Sequence, residues 1–161
     1  MSIGQNAVGA KFDAATTDPT FELGTLMLGQ GGKVYVYVQA SGAITGDGYV
    51  VTMDGSFQAA MLTTSNDAAG DKVGVVECAF ADDEYGWAQV YGPCGIRTEQ
   101  DALANSFLGA TSDAGQVDDA AATGLYVDGM ILETATGGAD AVNTTGVLNW
   151  PVIATRPAPA T

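Results

Sequence analysis

The sequence predicts an all-β fold, a compact β-barrel or β-sandwich carrying an extended N-terminal arm. Three observations predict it. Runs rich in β-branched and aromatic residues recur at roughly 8–15-residue spacing, the rhythm of short strands joined by turns. The 22 glycines suit tight turns and bulges rather than helices. A short-helix pattern occurs in one segment, Asp101 to Phe107.

Residues 1–20 show little periodicity, with Val8, Phe12 and Pro19 spaced among Gly, Ala, Asp and Thr. They read as an extended arm that a neighbouring subunit would hold in place. The domain proper is expected over residues 21–153, followed by a tail over 154–161 that contains Pro157 and Pro159. Phe21 to Leu28 alternates in part, and Gly29-Gln30-Gly31-Gly32 reads as a turn. Val34-Tyr35-Val36-Tyr37-Val38 is the strongest strand signal in the chain. Tyr49 to Met53 is the next strand. Asp54-Gly55 then makes a hairpin turn into Phe57 to Leu62. Val73 to Phe80 and Tyr85 to Tyr91 read as one hairpin with an acidic tip at Asp82, Asp83 and Glu84, and Pro93 ends the second strand or sits at a bulge. Val117, Leu125 to Leu132 and Val147 to Ile153 supply the remaining strands, with Gly137-Gly138 and Gly146 separating the last pieces.

Composition bounds the function. Hydrophobic residues make up 47% of the 161 and charged residues 15%, the balance of a folded chain rather than a disordered one. A chain of this length buries roughly 70% of its unfolded surface, enough to fold without disulfides. Nineteen acidic residues face five basic ones, for a net charge of −14. The five, Lys11, Lys33, Lys72, Arg97 and Arg156, are scattered singly. Nucleic-acid binding needs a basic patch, so it is disfavoured, and an anionic membrane surface would repel the chain. The start lacks the basic and apolar regions of a secretory leader, and no apolar stretch approaches the ~20 residues of a membrane span.

Histidine is absent, which removes the usual general base, the Ser-His and Cys-His pairs and the commonest zinc ligand. Cys78 and Cys94 read as reduced, small buried residues, with a disulfide between them as the alternative. The acidic tip reads as a solvated turn, with a weak calcium site as the alternative, and Asp118-Asp119 reads the same way. Carboxylate pairs for glycoside hydrolysis are set by the fold, so nineteen acidic residues carry no signal for them. Gly29 to Lys33 lacks the Gly-Lys-Ser/Thr ending of a phosphate loop and precedes a strand. The expectation is a protein without enzymatic activity or cofactor. Tyr85, Trp87 and Tyr91 share one strand face by period two, as sheet core, as an interface or as a sugar-stacking platform.

Several of these segments together resemble a known group. Gly70-Asp71-Lys72-Val73-Gly74-Val75-Val76, then Tyr85-Gly86-Trp87-Ala88-Gln89-Val90-Tyr91-Gly92-Pro93, then Ala114-Gly115-Gln116-Val117-Asp118-Asp119-Ala120 are similar to motifs of the capsid decoration, or cement, proteins of tailed bacteriophages. Val147-Leu148-Asn149-Trp150-Pro151 resembles their closing segment, and the likeness spans roughly residues 21–153. It implies a β-barrel or β-clip-like subunit, made in the host cytoplasm and bound to the outer surface of the virion. Its partner would be the major capsid protein, and it would form a homo-oligomer, a trimer first and a dimer as the alternative. The expected contact residues are Phe12, Phe21, Tyr85, Trp87, Tyr91 and Trp150. The alternatives are another virion component, from the minor head, the head–tail joint or the tail, and a carbohydrate-binding β-module.

Overall fold

The computed structural model describes residues 9–120, 123–138 and 141–155. Ten strands carry the fold: β1 Leu26–Leu28, β2 Val34–Ala40, β3 Val50–Met53, β4 Gln58–Met61, β5 Lys72–Val76, β6 Tyr85–Thr98, β7 Gly109–Ala110, β8 Val117–Asp118, β9 Leu125–Leu132 and β10 Val142–Thr155. One short 3₁₀ turn, Gln30–Gly32, joins β1 to β2. All ten strands belong to one mixed sheet, as the all-β expectation requires. Among the described residues no helix is long and apolar enough to cross a membrane.

The pairings β2–β4, β4–β3, β3–β5, β5–β6 and β6–β2 run in a closed ring, so the first half of the molecule is a five-stranded barrel. Strand alternation explains its filling. Val36, Val38 and Ala40 of β2, Val51 and Met53 of β3, Ala59 of β4, Val76 of β5, and Ala88 and Val90 of β6 form one buried cluster with Ile44 and Phe80. Small residues dominate because the ring is narrow. A side chain at Gly86 would meet the Phe80 ring, its Cβ landing 2.5 Å from the nearest carbon.

The other side chains of β2 and β6 face outward and form a second cluster. Tyr35, Tyr37 and Trp87 pack with Ala10 and Phe12, with Phe21 and Tyr85 at the margin. Phe12 stacks on Tyr35 at 3.9 Å, and Phe12 and Phe21 both set edges against Trp87 at 5.4 and 5.2 Å. Thr16 adds a two-way backbone bridge to Tyr85. The described part of the expected arm therefore lies on its own domain, where aromatic burial holds it without a neighbour. Residues 1–8 fall outside the described residues.

The third cluster joins the barrel to a second layer. Val50, Val73 and Val75 pack against Ile96, Leu108, Val117, Val127, Met130, Leu132, Leu148 and Ile153. Two strands of 14 residues make this possible. The first half of β6 lines the barrel, and its second half pairs with β10 from Asn149↔Tyr91 to Val142↔Thr98. The bend between the halves lies at Gly92, whose φ of 93° suits glycine and whose Cβ position is 2.6 Å from the Gly32 carbonyl oxygen. The buried Gln89 amide donates to the Tyr91 and Pro93 carbonyls at 3.0 Å each and fastens the bend. Pro93 thus neither ends the strand nor interrupts its pairing.

The short-helix pattern at Asp101 to Phe107 does not form a helix, because Asp101 and Asn105 sit at φ 60° and 58°, in the left-handed region. Three expectations change. Gly146 is not a separator but the middle of β10, placed where a side chain would strike Ile96 and the Ile131 carbonyl. The Phe21 to Leu28 run is strand only over Leu26–Leu28, since Glu22 and Thr25 close a turn. The domain extends past 153, because β10 runs to Thr155; residues 156–161 of the expected tail fall outside the described residues.

Candidate interaction surface

Burial of so many apolar side chains makes the exposed ones informative. Leu26 and Leu28 of β1 are 56% and 73% exposed, Tyr91 41% and Trp150 49%. These four are grouped, whereas Leu103, Phe107, Ile131 and Val142, also exposed, lie outside the group. Leu28 pairs with Val34, Val34 with Tyr91, and Tyr91 with Asn149, so one row crosses β1, β2, β6 and β10. The Trp150 ring follows directly, 6.2 Å from Tyr91. Beside this row lies a groove of about 300 Å³ at the mouth of the barrel, lined by Leu26, Val36, Met53, Phe57, Val90 and Trp150 among others.

Trp150 reaches this place through a bulge. The β9–β10 register shifts between Leu148 and Val152, and Trp150 takes a φ of 51°. A large aromatic residue in the left-handed region stores backbone strain, of order 1–3 kcal/mol. The bulge re-aims its ring toward the groove, a common use of bulges.

The six aromatic residues expected at an interface divide. Phe12 is fully buried and Trp87 is 2% exposed, so both act inside the subunit rather than as a contact face. Phe21 and Tyr85 are half-buried at the edge of the same cluster. Trp87 is closed in by Phe12, Phe21 and Tyr37, which leaves no ring face on which a sugar could stack. Tyr91 and Trp150 remain on the surface. Tyr91 parts from Trp87 because β6 holds one extra residue there: Tyr35 pairs with Gln89 but Val34 with Tyr91, which breaks the period of two. Sequence reasoning missed Leu26 and Leu28. Their alternation was visible, but whether another strand covered them was not.

Among the described cations, Lys72 alone lines the groove, and it is engaged by an aromatic ring. Lys33 is paired with Glu77 at 2.9 Å, Lys72 lies over the Phe57 ring and Arg97 over the Tyr49 ring. Lys11 is exposed. Four carboxylates are neighbours of lining residues in the chain or the ladder, though none lines the groove itself. Glu22 stands two residues before its lining residue Gly24, Asp54 forms the turn into Phe57, Asp71 precedes Lys72, and Asp128 pairs with Val152.

At the acidic tip, Glu84 accepts from the Ala81 amide at 2.7 Å, and so closes its own turn. Asp118 is held above its ordinary range, first by burial and then by its hydrogen bond with Asp119. Among the described residues, no three or more of His, Cys, Asp and Glu are grouped to hold a metal.

Both cysteines are free thiols. Burial pushes Cys78 up to about 11 and Cys94 up to about 12; carboxylates reinforce both, and Lys33 partly opposes the shift at Cys94. Burial, then the hydrogen bond to Glu77, also raises Tyr35. Each group holds its proton more tightly folded than unfolded. The contribution is therefore intact below the unfolded pKa and lost as pH rises through the folded one. Urea midpoints are expected to hold up to about pH 8.5, the ordinary thiol value, and to fall steadily above it. Cys94→Ala should flatten that fall.

Comparison with known proteins finds no matching family model, no similar curated protein and no similar solved structure.

Proposed function

We propose that this chain is a capsid decoration protein of a tailed bacteriophage, which binds the outer surface of the coat shell and stabilises it by protein–protein contact. One observation carries the reading: the contiguous apolar row Leu28, Val34, Tyr91 and Trp150 beside an apolar groove, on a closed and rigid β framework. Exposed aromatic residues grouped with aliphatic ones mark contact surfaces, and strain at Trp150 is tolerated where a side chain has to be presented. The resemblance of the turn and strand motifs supports the same reading. Those motifs fall on structural positions: Gly70 at φ 97°, Gly86 against Phe80, Gln89 and Gly92 at the bend. A net charge of −14 suits an exterior position, away from a packaged genome. A homo-oligomer on the shell is part of the proposal.

The test is co-sedimentation of the purified chain with shells assembled from the coat protein of the same genome. Saturable binding is expected, at a copy number comparable to that of the coat subunit. The double variant Tyr91→Ala and Trp150→Gly should bind at least tenfold more weakly, roughly 1.4 kcal/mol or more, while its urea midpoint stays near that of the parent. Glycine at position 150 suits the positive φ, so folding is not put at risk. Occupancy at only a few copies per particle would point to a connector or tail component, and no binding would remove the proposal.

A further inference from the structure

The outer edge of β1 is open. β1 ends the strand order, pairing with β2 alone among the described residues. Its inward bonds come from alternate residues: the Thr25 carbonyl accepts from Tyr37, and the Gly29 amide donates to Lys33. Met27 sits opposite Tyr35 in the same phase. In an antiparallel ladder the intervening residues, Leu26 and Leu28, aim their N–H and C=O groups away from the partner strand. The same two residues carry the most exposed apolar side chains of the row, and Leu26 lines the groove. An open edge of this kind invites pairing unless a charge, a proline or a cover blocks it. β1 carries no charge and no proline within Leu26–Leu28, and its three-residue length is the one such protection seen among the described residues.

We propose that the edge of β1 takes up an extended segment of a partner protein as an added antiparallel or parallel strand. Its backbone would bond Leu26 and Leu28, and its alternate apolar side chains would enter the groove beside Trp150. Charge identifies the occupant. Lys72 is the one charged residue lining the groove and its ammonium lies over the Phe57 ring, Glu22, Asp54, Asp71 and Asp128 are each a chain or ladder neighbour of a lining residue, and the whole chain carries −14. A second copy brings the same negative charge to the same place and is repelled. A segment with Lys or Arg between or beside its apolar residues is attracted. Main-chain bonding supplies affinity, and the pocket for alternate side chains supplies selection.

This inference deepens the decoration reading and rests on it for the partner's setting. Its own test needs no shell. A peptide of alternating valine and lysine is titrated into ¹⁵N-labelled protein, with a valine–glutamate peptide and a proline-interrupted valine–lysine peptide as controls. The expected result is slowed hydrogen exchange at the Leu26 and Leu28 amides with the first peptide only, weakening as salt is added. Leu28→Pro removes an outward N–H without removing an inward bond, and should weaken binding by about tenfold, or ~1.4 kcal/mol. Leu28→Lys, which leaves the backbone unchanged, is the second variant and should weaken the same peptide. Equal binding of the acidic peptide, no protection with any peptide, or a concentration-dependent dimer that Leu28→Pro abolishes would each overturn the proposal. If shells bind the parent and Leu28→Pro equally well, strand addition fails while the decoration reading stands.

Discussion

Trp87→Ala is expected to destabilise the protein by about 3–5 kcal/mol, the range for removing a large aromatic residue from a packed interior. The ring is 2% exposed and meets Phe12, Phe21 and Tyr37 edge-on, so its loss leaves a cavity between three other aromatic side chains. Phe12 would lose one of its two ring partners, and with it the segment from Ala10 to Thr16 would loosen. Urea unfolding gives the stability change, and hydrogen exchange at Thr16 and Tyr85, which bond each other's carbonyls, reports the segment. Tyr91→Ala on the same strand should shift stability by no more than about 0.5 kcal/mol, as surface changes do. Equal losses at the two positions would contradict the division of β6 into a buried and a presented part.

Gly92→Ala should cost about 2–6 kcal/mol. Part is the positive φ of 93°, worth roughly 1–3 kcal/mol for a residue with a side chain. The rest, about 1–3 kcal/mol, comes from a methyl group forced against the Gly32 carbonyl oxygen, which is backbone and cannot swing aside. The damage should reach both layers, because the bend at Gly92 lets one strand serve the barrel and then β10. Gly95→Ala is the control: the nearest atom to its Cβ position is 3.7 Å away, an ordinary contact. Thermal unfolding of the two variants side by side checks the contrast.

Much of the barrel was legible because its strands announce themselves locally. Val34 to Val38 alternates valine with tyrosine, and the structure sends Val36 and Val38 inward and Tyr35 and Tyr37 outward. Asp54-Gly55 makes the expected turn, with the Asp54 carboxylate accepting from Ser56 and Gln58. What was not legible depends on distant neighbours. Gly146 looks like a turn residue until Ile96, from another strand, is seen to occupy the space where its side chain would be. Asp101 to Phe107 has helix-like composition, yet Asn105 bonds the Leu132 carbonyl and is drawn into a loop. Trp150 was visible as an aromatic residue near the end of the chain, but the bulge that turns it outward arises from the pairing of β9 with β10. Phe12 and Trp87 were misjudged for the same reason: composition marks an aromatic residue as valuable, and only topology says whether its own chain has already covered it.

The two long strands carry a consequence for how the molecule comes apart. β6 contributes to the barrel wall and to the second layer without interruption, and β10 closes the second layer against both β6 and β5. Neither layer can be excised as a self-sufficient piece. Ring closure joins β2 to β6 across a long stretch of chain, and β10, the last described strand in chain order, completes the sheet. Folding is therefore topologically slow and all-or-none in character. Pulled from the groove side, the subunit would pass load along continuous backbone from Tyr91 to Thr98 rather than across loops, and would yield as a unit.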